Sequence, residues 1–389
     1  MKSVRVQKIR LGMIGGGKDA FIGGIHRIAS RLDDQYTLVC GAFSSDSKKS
    51  KESGECLGLN SNRVYDSYKE LFEKENTLPE DERMEVVSIV TPNYLHFEPA
   101  KLALQSGYDV ILDKPITFSL EEAKELKAIL ETSGKSLMLT YTYTGYPMIK
   151  EARYLIAKGV LGEVRKIYVE YPQGWLSQSL EDDDNKQALW RTDPAKSGLA
   201  GAMGDIGTHA FNLVEYISGL QTTKICADIN TVVKTRRLDD DGAVLLKFDN
   251  GASGVLIATQ IAVGEENNIK IRVYGDKGSL VWQQEDANSL IVKLFDQPSQ
   301  IYRAGASYNS NIANHNCRTP PGHPEGYLEA FANLYRNFAL YLKSSEKERK
   351  DNPEITDFPG IEDGLRGMAF IESVIESGKS DKKWTIFKL

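Results

Sequence analysis

Between residues 8 and 142, short and almost unbroken apolar runs alternate with segments of helical spacing, and this alternation limits the fold more than any other feature. The runs are Lys8 to Ile14, Thr37 to Phe43, "MEVVSIVTP" from Met84, "GYDVILDKP" ending at Pro115, and "KSLMLTYT" from Lys135. Helical patterns lie between them at Gly23 to Leu32, within Val64 to Phe72, at Phe97 to Ser106 and at Leu120 to Ser133. The last opens on Ser119 followed by Glu122, a capping-box pair. Strands with so little polar alternation are buried on both faces, and strands separated by helices build a parallel sheet.

The pattern changes after about Tyr146. One helix is expected over Ile149 to Lys158, followed by longer alternating strands: "EVRKIYVEY", "KICADINTVV", "GAVLLKFD", "SGVLIATQIA" and "IKIRVYG". Turn sequences such as Asp249-Asn250-Gly251 separate some of them, as in a mostly antiparallel sheet with one wetter face. A long amphipathic helix is expected near Tyr327 to Leu342, with Leu328, Phe331, Leu334, Tyr335 and Phe338 at helical spacing as core. A chain of 389 residues is long enough for two domains, placed at 1–145 and 146–389. The net charge of −6 disfavours nucleic acid and anionic membranes as partners. The four cysteines form no C-x-x-C pair, so no metal site is expected. No signal-like apolar segment is seen near the N-terminus, and a cytoplasmic protein is expected.

"RLGMIGGGKDAFIGGIH" follows the first strand directly. Gly15 and Gly17 match the first two glycines of a dinucleotide fingerprint, which allow a tight turn and close approach to a pyrophosphate. The third, Gly23, follows Gly17 after five intervening residues where two are usual, so the loop is about three residues longer than the standard one. The start of the next helix favours phosphate. Where an acid would meet the adenosine ribose, at the end of the second strand, stands Ser44, with Lys48 and Lys49 close behind. This leaves NAD and NADP both open.

"TPNYLH", Thr91 to His96, ends one apolar run, and Asp113-Lys114-Pro115 ends the next. Ligands bind beyond the carboxyl ends of parallel strands, so both motifs point toward a cofactor. Further on, "GAMGDIGTHAFNL" puts Asp205 and His209 four residues apart, on one face if helical.

The order of a G-x-G turn, "TPNYLH", "DKP" and D-x-x-x-H after a "WR…G" segment resembles the Gfo/Idh/MocA family of NAD(P)-dependent oxidoreductases. Asp113 stands where the family usually has glutamate, and the glycine loop is longer. The resemblance implies a Rossmann dinucleotide-binding domain followed by an α/β domain with an open, mostly antiparallel sheet. In the family the open face is commonly a subunit interface, which implies a homo-oligomer, a dimer or tetramer. It also implies hydride transfer between NAD or NADP and a secondary alcohol of a sugar, inositol or similar polyol.

In that chemistry His209 takes the hydroxyl proton and Lys114 stabilises the oxygen or relays the proton. Asp205 either holds the imidazole or bonds a substrate hydroxyl. Asp113 orients Lys114, and Pro115 fixes a turn that in the family often contains a cis-like or strained peptide. Gly15, Gly17, Gly23, Ser44, Thr91, Asn93, His96, Asp113 and Lys114 are the expected cofactor side, with Asn93 near the nicotinamide by resemblance. Tyr143, Trp175 and Arg191 join Asp205 and His209 as substrate candidates, since aromatic faces stack on sugar rings and polar tips meet hydroxyls. Tyr146, Gln173, Trp190, Asp193 and His323 are further candidates. Two other readings compete: a nucleotide-sensing regulator without activity, and a redox-neutral enzyme that cleaves glycosides using the cofactor transiently.

Overall fold

The structure is a computed structural model that describes residues 7–18, 20–183 and 185–389. The chain divides into two compact units. The first opens with β1 (Ile9–Gly15), α1 (Phe21–Leu32), β2 (Tyr36–Ala42), α2 (Ser47–Cys56) and α3 (Tyr68–Glu75). It continues with β3 (Val86–Val90), α4 (Phe97–Gln105), β4 (Asp109–Leu112), α5 (Leu120–Ser133) and β5 (Leu137–Leu139). The sheet order is β2-β1-β3-β4-β5 and every pair is parallel. All five residues of β3 are buried, as a strand covered on both faces requires.

The second unit holds α6 (Pro147–Ala157), β6 (Val164–Pro172), α7 (Lys186–Arg191), α8 (Pro194–Ser197) and α9 (Thr208–Ser218). Next come β7 (Thr222–Asn230), β8 (Asp241–Phe248), β9 (Ser253–Thr259), β10 (Lys270–Gly275) and β11 (Gly278–Gln283). The remaining elements are β12 (Ser289–Leu294), β13 (Gln300–Arg303), α10 (Asn311–His315), α11 (Tyr327–Lys343), α12 (Glu346–Asp351), α13 (Ile361–Gly378) and β14 (Thr385–Ile386). The nine-stranded sheet runs β13-β12-β11-β10-β6-β9-β8-β7-β14. Only the β6–β9 pair is parallel, with Tyr171 level with Ala258.

One expectation differs in place. The sequence reading put 146–389 together, but Phe331–Ile361 belongs with the first unit. The reason is the aromatic face of α11. Phe331, Tyr335 and Phe338 are fully buried. The ring of Phe331 lies 4.8 Å from that of His26 on α1, and Tyr36 on β2 donates to the Tyr335 carbonyl. These side chains are core, as their spacing suggested, but the core belongs to the parallel-sheet unit. No helix among the described residues is long and apolar enough to cross a membrane.

Candidate active site

In the first unit β1 lies between β2 and β3, so the sheet's winding reverses beside it and opens a crevice at its carboxyl end. Gly15 and Gly16 there have φ of +80° and +67°, a left-handed pair that side chains resist. A Cβ on Gly15 would fall 2.9 Å from Cγ2 of Thr91. A Cβ on Gly23 would fall 2.3 Å from Cα of Gly16, so α1 packs directly on the turn. Gly16 is thus part of the turn, a residue the fingerprint spacing passed over. Gly17 is closed in by the Phe43 carbonyl and Ser53 Oγ.

The longer loop folds back on α2. The Lys18 N–H donates to Ser53 Oγ at 3.0 Å, and Ala20 N–H to the Gly17 carbonyl at 3.1 Å. Ala20 provides no side-chain cap for the amides that start α1. Ser44 is half-buried and its Oγ accepts the Asp46 N–H at 3.1 Å. Asp46 caps α2 through the Lys49 N–H, and Lys48 and Lys49 are exposed.

At the end of β3, Thr91 Oγ1 donates to the Leu95 carbonyl at 2.8 Å, and Asn93 is buried. His96 is 1 % exposed, with Nδ1 2.6 Å from the Pro115 carbonyl and Nε2 2.8 Å from that of Thr91. It ties the turn after β3 to the turn after β4, so its ring braces the backbone there, where the sequence reading expects a cofactor contact. Burial pushes its imidazole below the ordinary pKa. Asp113 Oδ1 accepts both the Lys114 N–H at 2.9 Å and the Thr140 hydroxyl at 2.8 Å, which fixes the backbone that carries Lys114. Lys114 is half-buried, and the Lys114–Pro115 peptide is cis.

In the second unit a π turn, Met203–Gly207, leads into α9. From Ala200 to Val214 every residue is buried except Asp205 and His209, which are partly exposed. The spacing read from sequence therefore selects the two polar groups that this buried segment presents. Asp205 Oδ2 accepts Arg191 Nε at 3.2 Å and Gln260 Nε2 at 3.0 Å. Gln260 also reaches Gln173 Oε1, which accepts Trp175 Nε1 at 3.0 Å. The Arg191 guanidinium lies 4.2 Å from the ring centre of Trp190 and 5.8 Å from that of Trp175.

The His209 ring meets Tyr143 edge-on at 5.1 Å and Tyr171 at 6.5 Å. Tyr143 and Tyr171 share a hydrogen bond, and burial pushes both hydroxyls above their ordinary pKa. Asn267 accepts from Tyr171 and Gln173 and donates to Tyr143 and Gln284. Tyr146 stacks on Tyr143 and is buried. So Asp205, His209, Tyr143, Gln173, Trp175 and Arg191 belong to one connected wall. Tyr171, Gln260 and Asn267 complete it and were not foreseen. Asp193 braces a loop instead, capping α8 and pairing with Lys196 and Arg237. His323 sits exposed on a turn, with its ring against the Pro320 carbonyl.

Residues 9–141 match the model of the oxidoreductase family with an NAD-binding Rossmann fold, and residues 149–281 match the GFO/IDH/MocA C-terminal domain. The chain belongs to the Gfo/Idh/MocA oxidoreductase family. Its first unit is the family's NAD-binding domain and its second the open-sheet α/β domain. An inositol dehydrogenase homolog from Azotobacter vinelandii, solved with NAD+, is similar over 98 % of both chains at 34 % identity, with a TM-score of 0.93. The same homolog was solved with NADH and myo-inositol. An oxidoreductase from Sinorhizobium meliloti is 42 % identical, with a TM-score of 0.87 over 97 % of this chain and 99 % of its own. An uncharacterised oxidoreductase of Bacillus subtilis is 31 % identical over 98 % of this chain and 97 % of its own length.

The glycine turn fits the cofactor that this family binds. Gly15, Gly16 and Gly23 leave a backbone cradle that a Cβ at any of them would crowd, beside helix amides for which Ala20 gives no side-chain cap and which suit phosphate.

Proposed function

We propose that this protein is a nicotinamide-dependent dehydrogenase acting on a secondary alcohol of a sugar, inositol or similar polyol. The observation that carries the reading is the segment Ala200–Val214, buried throughout except at Asp205 and His209. A core helix that exposes one carboxylate and one imidazole among amides and aromatic rings suits a ring bearing several hydroxyls. The A. vinelandii relative solved with NADH and myo-inositol supports that substrate class.

The chemistry that the nicotinamide supplies, when bound, is acceptance of a hydride from the carbinol carbon. His209 takes the hydroxyl proton, so that the carbinol becomes a carbonyl. Lys114 steadies the oxygen while its charge changes. Asp113 and Thr140 fix the backbone of Lys114. Asp205, steadied by Arg191 and Gln260, receives a neighbouring hydroxyl of the substrate. Gly15, Gly16, Gly17 and Gly23 hold the cofactor's phosphates, Ser44 meets its adenosine ribose, and Thr91 and Asn93 line its approach.

The protein acts as a homo-oligomer through the open face of the second sheet. Leu245, Val255, Tyr168, Arg272, Val281, Ile291 and Ile301 form one cross-strand row, and each is at least partly exposed. A row this apolar on a sheet face suits burial against a second copy.

The test is a screen of purified protein with NAD+ and NADP+ against inositols and neutral sugars. It reads initial rates of reduced-nicotinamide formation. Turnover with at least one polyol is expected. Absence of turnover across a broad panel, with cofactor bound, would favour the sensing alternative.

A further inference from the structure

The π turn that carries Asp205 and leads to His209 is held from outside its own helix. Asp239 lies on the loop between β7 and β8 and is 7 % exposed. Its Oδ1 accepts the Gly201 N–H at 2.6 Å and its Oδ2 the Met203 N–H at 2.7 Å. Its main-chain carbonyl accepts the Ala202 N–H at 2.8 Å. Three consecutive amides thus end on one residue, where a helix start ordinarily leaves donors unmet. Contact is so close that a Cβ on Gly201 would fall 2.1 Å from the Asp239 carbonyl oxygen.

The loop is itself anchored. The Asp240 carboxylate accepts the Val232 and Val233 amides and pairs with buried Arg236 at 3.4 Å. Arg236 pairs in turn with Glu181 and donates to the Leu176 and Gln178 carbonyls. The Asp240 carbonyl accepts the Gln260 N–H at 2.8 Å, and the Gln260 side chain holds Asp205. Asp239 and Asp240 therefore join the backbone of the turn to a group that grips its carboxylate.

We propose that Asp239 is a positioning residue. By clamping Gly201 and Met203 it fixes the rotation of the π turn, and with it the directions in which Asp205 and His209 are presented. π turns are irregular and set side-chain direction at functional sites, so one that must hold two polar groups in register needs an external clamp. The inference rests on the roles proposed above for Asp205 and His209. Burial, with Asp240 alongside, pushes the Asp239 carboxyl up to about 6. Its ionised form is thus held at a cost that a neutral cap would avoid.

The test uses Asp239→Asn, which keeps the volume and one acceptor, with Asp239→Ser as a second variant should the first not fold. Full-length protein is assayed with the polyol and cofactor found in the screen. Cofactor affinity is read by protein fluorescence, thermal unfolding by far-UV signal, and hydrogen exchange on the peptide spanning 200–210. A fall in kcat of about 10- to 100-fold is expected, the scale of a small misplacement of reacting groups. Cofactor affinity is expected to stay unchanged, and exchange in that peptide to quicken. Wild-type kcat with wild-type exchange overturns the proposal, as does a loss confined to thermal stability. His209→Ala separates the layers: full turnover there overturns the roles on which the inference rests, whatever exchange shows in the Asp239 variants.

Discussion

His26 should make the first unit sensitive to acid. It is fully buried on α1, with Nδ1 2.7 Å from the Tyr335 hydroxyl and 3.2 Å from Ser88 Oγ. Burial lowers its pKa to about 4; Arg27 and His96 push the same way and Asp113 opposes them. The folded protein thus keeps a neutral imidazole where the unfolded chain, with a pKa near 6.5, binds a proton. Its contribution is complete above pH 6.5 and is lost as the pH falls toward 4. Each pH unit in that window is worth about 1.4 kcal/mol, so about 2 kcal/mol disappears between pH 7 and pH 5.

Other groups titrate in the same range. His96 shifts in the same direction, whereas Asp239, with its carboxyl raised, gains stability as the pH falls through about 6. The contribution of His26 is isolated by comparison with His26→Gln. Urea unfolding of both proteins at pH 7.0 and pH 5.0 gives the stability difference at each pH. That difference should change by about 2 kcal/mol against the wild type on acidification. A difference that stays constant within about 0.5 kcal/mol would refute the neutral, buried state of His26.

Two further outcomes follow from the sites. Gly23→Ala puts a Cβ against Gly16 Cα, so the turn must shift; nicotinamide cofactor affinity should fall by about tenfold or more, measured by fluorescence titration. Arg191→Lys loses the planar contact to Trp190 and the Nε bond to Asp205. The polyol KM should rise by about tenfold in steady-state rates, with cofactor KM unchanged.

The parallel sheet was legible because buried strands such as Val86–Val90 carry their signal in a few consecutive residues. α2 was not, since "SKKSKESGEC" has no apolar stripe. It is held by Asp46 at its start and by Ser50, which donates to the Tyr65 carbonyl. α11 was found, but its unit was not, because its aromatic rings meet side chains some three hundred residues earlier in the chain.

The same distinction runs through the candidate site. Lys114, Asp205 and His209 lie in short motifs, and it is the order of those motifs along the chain that marks them as candidates. Tyr171 and Gln260 come from the ends of β6 and β9, neighbours through a parallel pairing that no local pattern encodes. Asn267 and Asp239 sit in loops whose polar composition looks like ordinary surface. Both are identified by what they bind: two tyrosine hydroxyls and two glutamine side chains for Asn267, three amides for Asp239.

The most direct measurement is the steady-state kcat of the wild type, Lys114→Met and His209→Ala on the same polyol with the preferred cofactor. Proton transfer and charge stabilisation by these side chains predict a fall of about 10²- to 10⁴-fold in each variant, with cofactor still bound. Turnover near the wild-type level in both variants would contradict the account.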